Sequence, residues 1–289
     1  MSANDHCSAE LIHRIDLSDR LAVFKFLPSE GLSFIPGQYA TLGVEGDGQL
    51  LERPYSIVSA PHERHLEFFV ELVPGGVLSP KLWELKVGSR IWIRRRIVGH
   101  FTLSNLHKRH VMLATGTGIA PFVSIARTIQ FEERNDRPAS DQLLIIQGAS
   151  RSSDFGPYLN ELRSLSLTGW LQYIATISRP WEEPSWTDET GRVEDVLRKH
   201  ADRLGYISGN TCAYVCGHPK MIENAKDILT RARFTGDNIK QEDYFRLRSV
   251  GRPATLIKRD RETISLEQPL VTTWRPRSND EAKRTSAET

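Results

Sequence analysis

The hydrophobic pattern of this 289-residue chain changes character once, near residues 104–109, and that change limits the fold more than any single motif. Before it, apolar runs of strand length recur at 21–27, 39–44, 56–59, 66–73 and 90–93, separated by turn residues such as Pro36-Gly37 and Gly46-Asp47-Gly48. Many short strands at close spacing predict an antiparallel barrel or sandwich. After it, 111–114 is continuously apolar, as in a strand buried on both faces, and a helix-length segment follows at 119–133. The cycle repeats at 142–147 with 157–166, at 171–177 with 193–200, and at 213–216 with 218–233. Strands alternating with helices imply right-handed crossovers and a parallel sheet. The expected organisation is an all-β antiparallel barrel over 1–104, an α/β domain over 105–245 and a C-terminal extension over 246–289.

Bulk properties remove several function classes. The chain is 39% hydrophobic and 26% charged, as in soluble globular proteins. A formal charge of +2 is too small to argue for nucleic acid or an anionic membrane surface. No apolar run approaches transmembrane length, and residues 1–7 carry neither the basic start nor the apolar middle of a secretory signal. The three cysteines fit a reducing compartment, so the cytoplasm is the expected location. Cys212 and Cys216 lie in a strand-like run. Residues four apart on a strand stand ~13 Å from each other, too far to share a metal. No metal site is expected.

Three stretches carry chemistry. Arg53-Pro54-Tyr55-Ser56 combines a guanidinium fork for phosphate oxygens, a flat aromatic face and a hydroxyl. A ligand engaging all three would be an aromatic ring system joined to a phosphate chain. Strict alternation points Arg53 and Tyr55 to one face and Ser56 to the other, so a twist or bulge is expected at the strand end. Gly75-Gly76-Val77-Leu78-Ser79-Pro80 opens a short helix expected at 81–85, an arrangement suited either to an anion or to an ordinary capped turn. Thr115-Gly116-Thr117-Gly118-Ile119-Ala120-Pro121 follows the first strand of the β-α repeat, where open α/β sheets bind ligands.

The next two strand ends read Ser150-Arg151 and Ser178-Arg179. A reader of NAD favours an acidic residue there, to hold the ribose hydroxyls. Paired hydroxyls and guanidinium forks instead suit a phosphate monoester, as on the adenosine of NADP. Arg192 is a candidate to join them, and Asp154 is the contrary detail, since an acid there would serve a ribose.

Taken together, Arg53-Pro54-Tyr55-Ser56, Gly76-Val77-Leu78-Ser79, the run from Gly116 to Pro121, Ser178-Arg179 and Cys216-Gly217 resemble the bacterial ferredoxin (flavodoxin)–NADP reductase family, over residues 8–245. The resemblance implies an FAD-binding antiparallel barrel, a Rossmann-like NADP-binding domain and a flavin held at their junction. It implies that Arg53 binds the FAD pyrophosphate, with Pro54 beside it, that Tyr55 stacks on the isoalloxazine and that Ser56 bonds near its N5. Val77, Leu78 and Ser79 would hold the pyrophosphate from the other side. Phe69 would lie near the flavin or adenine, and Thr117 close to both cofactors. Gly116, Gly118, Ser150, Arg151, Ser178, Arg179 and Arg192 would serve NADP(H), and Cys216 would approach the nicotinamide. Ser56, Tyr55 and Cys216 are thus the expected catalytic positions, without an acid–base triad.

Relatives in the family often end at an aromatic residue covering the flavin. Tyr244-Phe245 matches that ending, and one of the two is expected against the flavin. The chain then continues through ten Arg/Lys and six Asp/Glu to Thr289. The last dozen residues read as disordered, while the apolar patches at 254–257 and 269–274 suggest a segment docked on the surface or on a second subunit. Arg94-Arg95-Arg96 with Lys108 and Arg109 would make either a basic rim for an acidic carrier or a solvated face. The expected activity passes electrons between NADPH and ferredoxin or flavodoxin, by a monomer or homodimer. The alternatives are the reductase component of an oxygenase and a nucleotide-binding module without turnover.

Overall fold

Bulges in the longest strand let one sheet wrap. β1 (His6–Ser18) alternates inward and outward over its first half, burying Cys7, Ala9 and Leu11. Its pairing with β2 (Leu21–Pro28) slips between Leu11 and His13 and again between Asp16 and Ser18. Such slips bend and twist a strand. β3 (Tyr39–Gly46), β4 (Gln49–Ser56), β5 (Leu66–Glu71) and β6 (Arg90–Arg94) complete an antiparallel six-stranded half-barrel in the order β4-β3-β6-β1-β2-β5. Phe24, Phe26, Leu42, Phe68 and Ile93 fill its interior. The structure, a computed structural model, describes residues 5–46 and 48–243. Tyr244, Phe245 and the extension over 246–289 lie outside the described residues.

The second half is a parallel six-stranded sheet. β7 (Arg109–Thr115), β8 (Gln142–Ala149), β9 (Leu171–Ile177), β10 (Glu189–Thr190), β11 (Thr211–Gly217) and β12 (Ile239–Asp243) take the order β10-β9-β8-β7-β11-β12. Alternation decides which helices cover which face. Met112, Ala114, Leu143, Ile145, Cys212 and Tyr214 meet α2 (Ala120–Arg134) and α3 (Tyr158–Leu165). Val111, Leu113, Leu144, Ile146, Ala213 and Val215 meet α4 (Val193–Leu204) and α5 (Pro219–Arg231). The first of these cores also takes Leu21, Val23, Val58 and Phe69 from the half-barrel, so α2 and α3 pack between the two sheets. No helix among the described residues is long and apolar enough to cross a membrane.

Strand order places the site. The chain leaves β7 outward through β8, β9 and β10, then returns to β11 on the other side. The order therefore reverses at the carboxyl end of β7, the crevice where open α/β sheets take ligands. The Gly-rich turn Gly116–Ile119 sits there.

Several boundaries differ from the sequence pattern. The strand expected at 56–59 ends at Ser56, and β4 runs back to Gln49 through residues too polar to read as a strand. The short helix α1 (Ser79–Glu84) starts two residues before the expected 81. β10 and β12 have no counterpart in that pattern: one has only two residues, and the other, Ile-Lys-Gln-Glu-Asp, lacks an apolar run.

Candidate functional site

At the end of β4 a cavity of about 720 Å³ opens against the Gly-rich turn. Arg53, Pro54, Tyr55 and Ser56 all line it, with Phe69, Val77, Leu78, Ser79 and Thr117. The β3–β4 pairing runs without a slip from Gly46↔Gln49 to Tyr39↔Ser56, so the expected bulge is absent. Consecutive residues reach one cavity because the strand stops at Ser56 and the cavity wraps its end. Burial pushes the Tyr55 phenol up to about 12 against the opposing charge of Arg53, so it stays protonated. Ser79 is less free than its sequence context suggested, since its Oγ accepts from Val73 N at 3.0 Å. α1, with six residues, begins without a side-chain cap.

Two observations fit these residues to a flavin dinucleotide. Ser56 Oγ is buried without a hydrogen-bond partner of ordinary geometry, a cost the fold would relieve with a ligand acceptor. The loop from Val73 to Ser79, which lines the same cavity, also closes tightly, because a Cβ on Gly76 would stand 2.9 Å from Val73 O.

A second cavity, of about 770 Å³, lies over the carboxyl ends of the parallel strands. Gly116, Ser150, Arg151, Ser178 and Arg192 line it as the pattern implied. Gly116 has φ +53° and faces open space, which suits a close ligand approach. Gly118 instead serves packing, since a Cβ there would lie 2.4 Å from Cys216 O and its bare backbone lets the turn sit on β11. Arg179 does not line the cavity; its Nη1 lies 3.3 Å from Glu182, which Arg151 also engages. Asp154 caps the turn through Arg151 N at 3.1 Å. Cys216 is fully buried in β11 and lines neither cavity.

Thr117 and Glu71 line both cavities, so the two spaces adjoin. Three further residues lie outside the sequence pattern. Arg20, from the β1–β2 turn, and Lys220, in the first turn of α5, line the second cavity. Glu242 of β12 lines the first and is paired in register with Cys216. Burial lifts its carboxyl to about 7, with the nearby Ser56 hydroxyl opposing the rise. Its Oε2 has no partner of ordinary geometry. A lone Glu in a polar run carries no such signal in sequence.

The basic rim largely dissolves. Arg94 is bonded through Nε to Glu52 at 2.7 Å, and Arg95 is paired with Glu30. Arg109 lies over the Tyr206 ring and bonds Leu204 O at 2.6 Å, at the amino end of β7, away from the site.

An antiparallel half-barrel followed by a parallel α/β sheet, with adjoining cavities at the strand ends, defines the class of FAD- and NAD(P)-binding oxidoreductases. Residues 8–102 match the oxidoreductase FAD-binding domain, and residues 112–227 the oxidoreductase NAD-binding domain. The ferredoxin–NADP reductase of Azotobacter vinelandii is 31% identical over 230 residues, covering 73% of this chain and 84% of that one. The flavodoxin/ferredoxin–NADP reductase of Escherichia coli K12 is 31% identical over 203 residues, covering 68% and 78%. A ferredoxin–NADP reductase from Neisseria gonorrhoeae, solved with FAD and NADP, superposes with a TM-score of 0.72 at 22% identity, over 83% of this chain and 99% of that one. The chain belongs to the bacterial ferredoxin (flavodoxin)–NADP reductase family.

Proposed function

We propose that the protein is an NADPH-dependent reductase of ferredoxin or flavodoxin. The observation that carries this reading is the sharing of Thr117 and Glu71 between the two cavities, which would let a flavin in one and a nicotinamide in the other come into contact. FAD, when bound, supplies the capacity to take an electron pair from a dihydronicotinamide and release the electrons singly. Arg53 and the 76–79 loop, which line the same cavity, would hold its phosphates. Tyr55 would supply a rigid face for the ring system, and the buried Ser56 hydroxyl would be free to donate to a ring acceptor. Glu242, its carboxyl raised to about 7 by burial, would be able to take up or release a proton in the first cavity near neutral pH. Ser150, Arg151, Ser178 and Arg192 orient the adenosine end of the nucleotide, and a 2′-phosphate suits this cationic rim. We assign residues 1–104 to the flavin domain and 105–245 to the nucleotide domain.

Anaerobic titration with NADPH and NADH in parallel tests the cofactor reading. The expected result is bleaching of the flavin by NADPH at lower concentration. Addition of ferredoxin, flavodoxin or an oxygenase component to the reduced protein then tests the carrier. Failure of both ferredoxin and flavodoxin to take electrons, with oxidation by an oxygenase component, would replace the carrier reading.

A further inference from the structure

Arg151, on the wall of the second cavity, and Arg179, just outside it, already share an anion of the protein's own. Arg151 follows β8 and Arg179 follows β9, and both turn toward one carboxylate. Glu182 Oε2 accepts from Arg151 Nε at 2.5 Å, and Oε1 stands 3.3 Å from Arg179 Nη1. The neighbouring Glu183 accepts from Ser152 N at 2.9 Å and from the Ser152 hydroxyl. The 3₁₀ turn Pro180–Glu182 and the residue after it are thus fastened to the β8 loop by two successive carboxylates.

We propose that Glu182 is a resident stand-in for the 2′-phosphate of NADP(H), occupying its arginines until the nucleotide displaces it. The inference rests on the NADPH reading above. A carboxylate and a phosphate monoester offer a guanidinium the same kind of partner, paired oxygens carrying negative charge. They differ in strength: the monoester carries about −1.5 to −2 and three acceptor oxygens, against one charge and two oxygens for Glu182. The dianion therefore wins the exchange, whereas a bare ribose hydroxyl has nothing to exchange with. Release asks little of the fold, because the Glu182 side chain is 31% exposed on a short turn and reaches water by rotamer change. The consequence is a moderated preference. The pair Arg151 and Arg179 discriminates less between phosphorylated and unphosphorylated nucleotides than it would without its internal competitor.

Calorimetric titration of the FAD-loaded protein with adenosine 2′,5′-bisphosphate and with 5′-AMP tests this, in the native chain and in Glu182→Gln. The ratio of the two dissociation constants is the readout. Displacing two partly exposed ion pairs should cost the native protein a factor of roughly three to ten. The Gln variant should therefore bind the bisphosphate tighter by that factor and shift 5′-AMP less. Because an amide oxygen still accepts from one arginine, Glu182→Ala is the second variant, with the same sign expected. An unchanged ratio in both variants would overturn the proposal. So would a weaker preference for the bisphosphate, which would make Glu182 a support that positions the arginines, or a change confined to weaker binding of 5′-AMP, which would make it a reader of ribose hydroxyls. The reading beneath it fails separately: a native protein that binds the bisphosphate no tighter than 5′-AMP has no 2′-phosphate subsite, whatever the variants do.

Discussion

Two side chains at the end of β4 and on β12 share one unresolved need, since Ser56 Oγ and Glu242 Oε2 are buried without ordinary partners. If Ser56 serves the flavin as proposed, Ser56→Ala should slow flavin reduction by NADPH about tenfold or more. Under the same proposal, Arg53 and Tyr55 remain and FAD should be retained. Anaerobic stopped-flow absorbance measures the first effect, and FAD content after gel filtration the second. For Glu242 the sign of the pH effect follows from its raised pKa of about 7. A native state that holds its proton more tightly than the unfolded chain has that stabilisation in full below the unfolded value, near 4.5. It is lost as pH rises through 7. Between pH 5 and 8 the native protein should lose about 2 kcal/mol more than Glu242→Gln, which carries no proton to lose. Denaturant unfolding at the two pH values checks it.

Among elements, an ionic cluster of largely buried side chains joins β5 to α2 and α3. Arg127 Nε and Nη2 bond Glu161 at 2.6 and 2.9 Å, and Nη1 reaches Glu67 at 3.2 Å. Tyr158 OH donates to Glu67 at 2.8 Å while its ring meets Phe69 edge-on at 5.0 Å. Burial pushes the Glu67 carboxyl up, but His65, Arg127 and Lys25 outweigh it and hold the group well below the usual range. Arg127→Met removes the largest cation beside Glu67 while Lys25, His65 and Tyr158 remain, and should cost about 2–3 kcal/mol at pH 7. The double change with Glu67→Gln should recover part of that loss, and a double-mutant cycle by chemical denaturation reads the coupling. A second element-scale expectation concerns the Gly-rich turn. Gly118→Ala forces backbone atoms of β11 aside, since its Cβ would meet Cys216 O and Gly217 Cα at 2.4 and 2.9 Å. A loss of about 1–3 kcal/mol is expected, seen as a lower melting temperature.

At the scale of the whole molecule the electrostatic field is weak. The formal charge is +2, and two of the three consecutive arginines that suggested a steering rim already hold Glu52 and Glu30. Carrier reduction should therefore fall by less than about tenfold as salt rises from low to several hundred millimolar, because steering at this charge is modest. A steeper fall would mean that a cationic surface elsewhere guides the encounter. Stopped-flow reduction of ferredoxin across a salt series decides between the two.

Local patterning determined the two architectures by itself. Strand length, turn residues and the change from closely spaced short strands to strands alternating with helices are properties of neighbours in the chain, and they suffice to separate a half-barrel from a parallel sheet. The Gly-rich turn and the Arg-Pro-Tyr-Ser run were legible for the same reason: their chemistry is contiguous. What only tertiary structure decided depends on residues far apart. Glu242 gains its raised pKa from the packing of β12 beside β11, and nothing around it in sequence encodes that burial. Arg179 and Arg151 meet at Glu182 because parallel strands end level with each other, whereas the sequence pattern directed both at a ligand. Charge pairing across a fold is a long-range property, so a run of arginines shows how much charge is present and only the folded chain shows how much of it is left over.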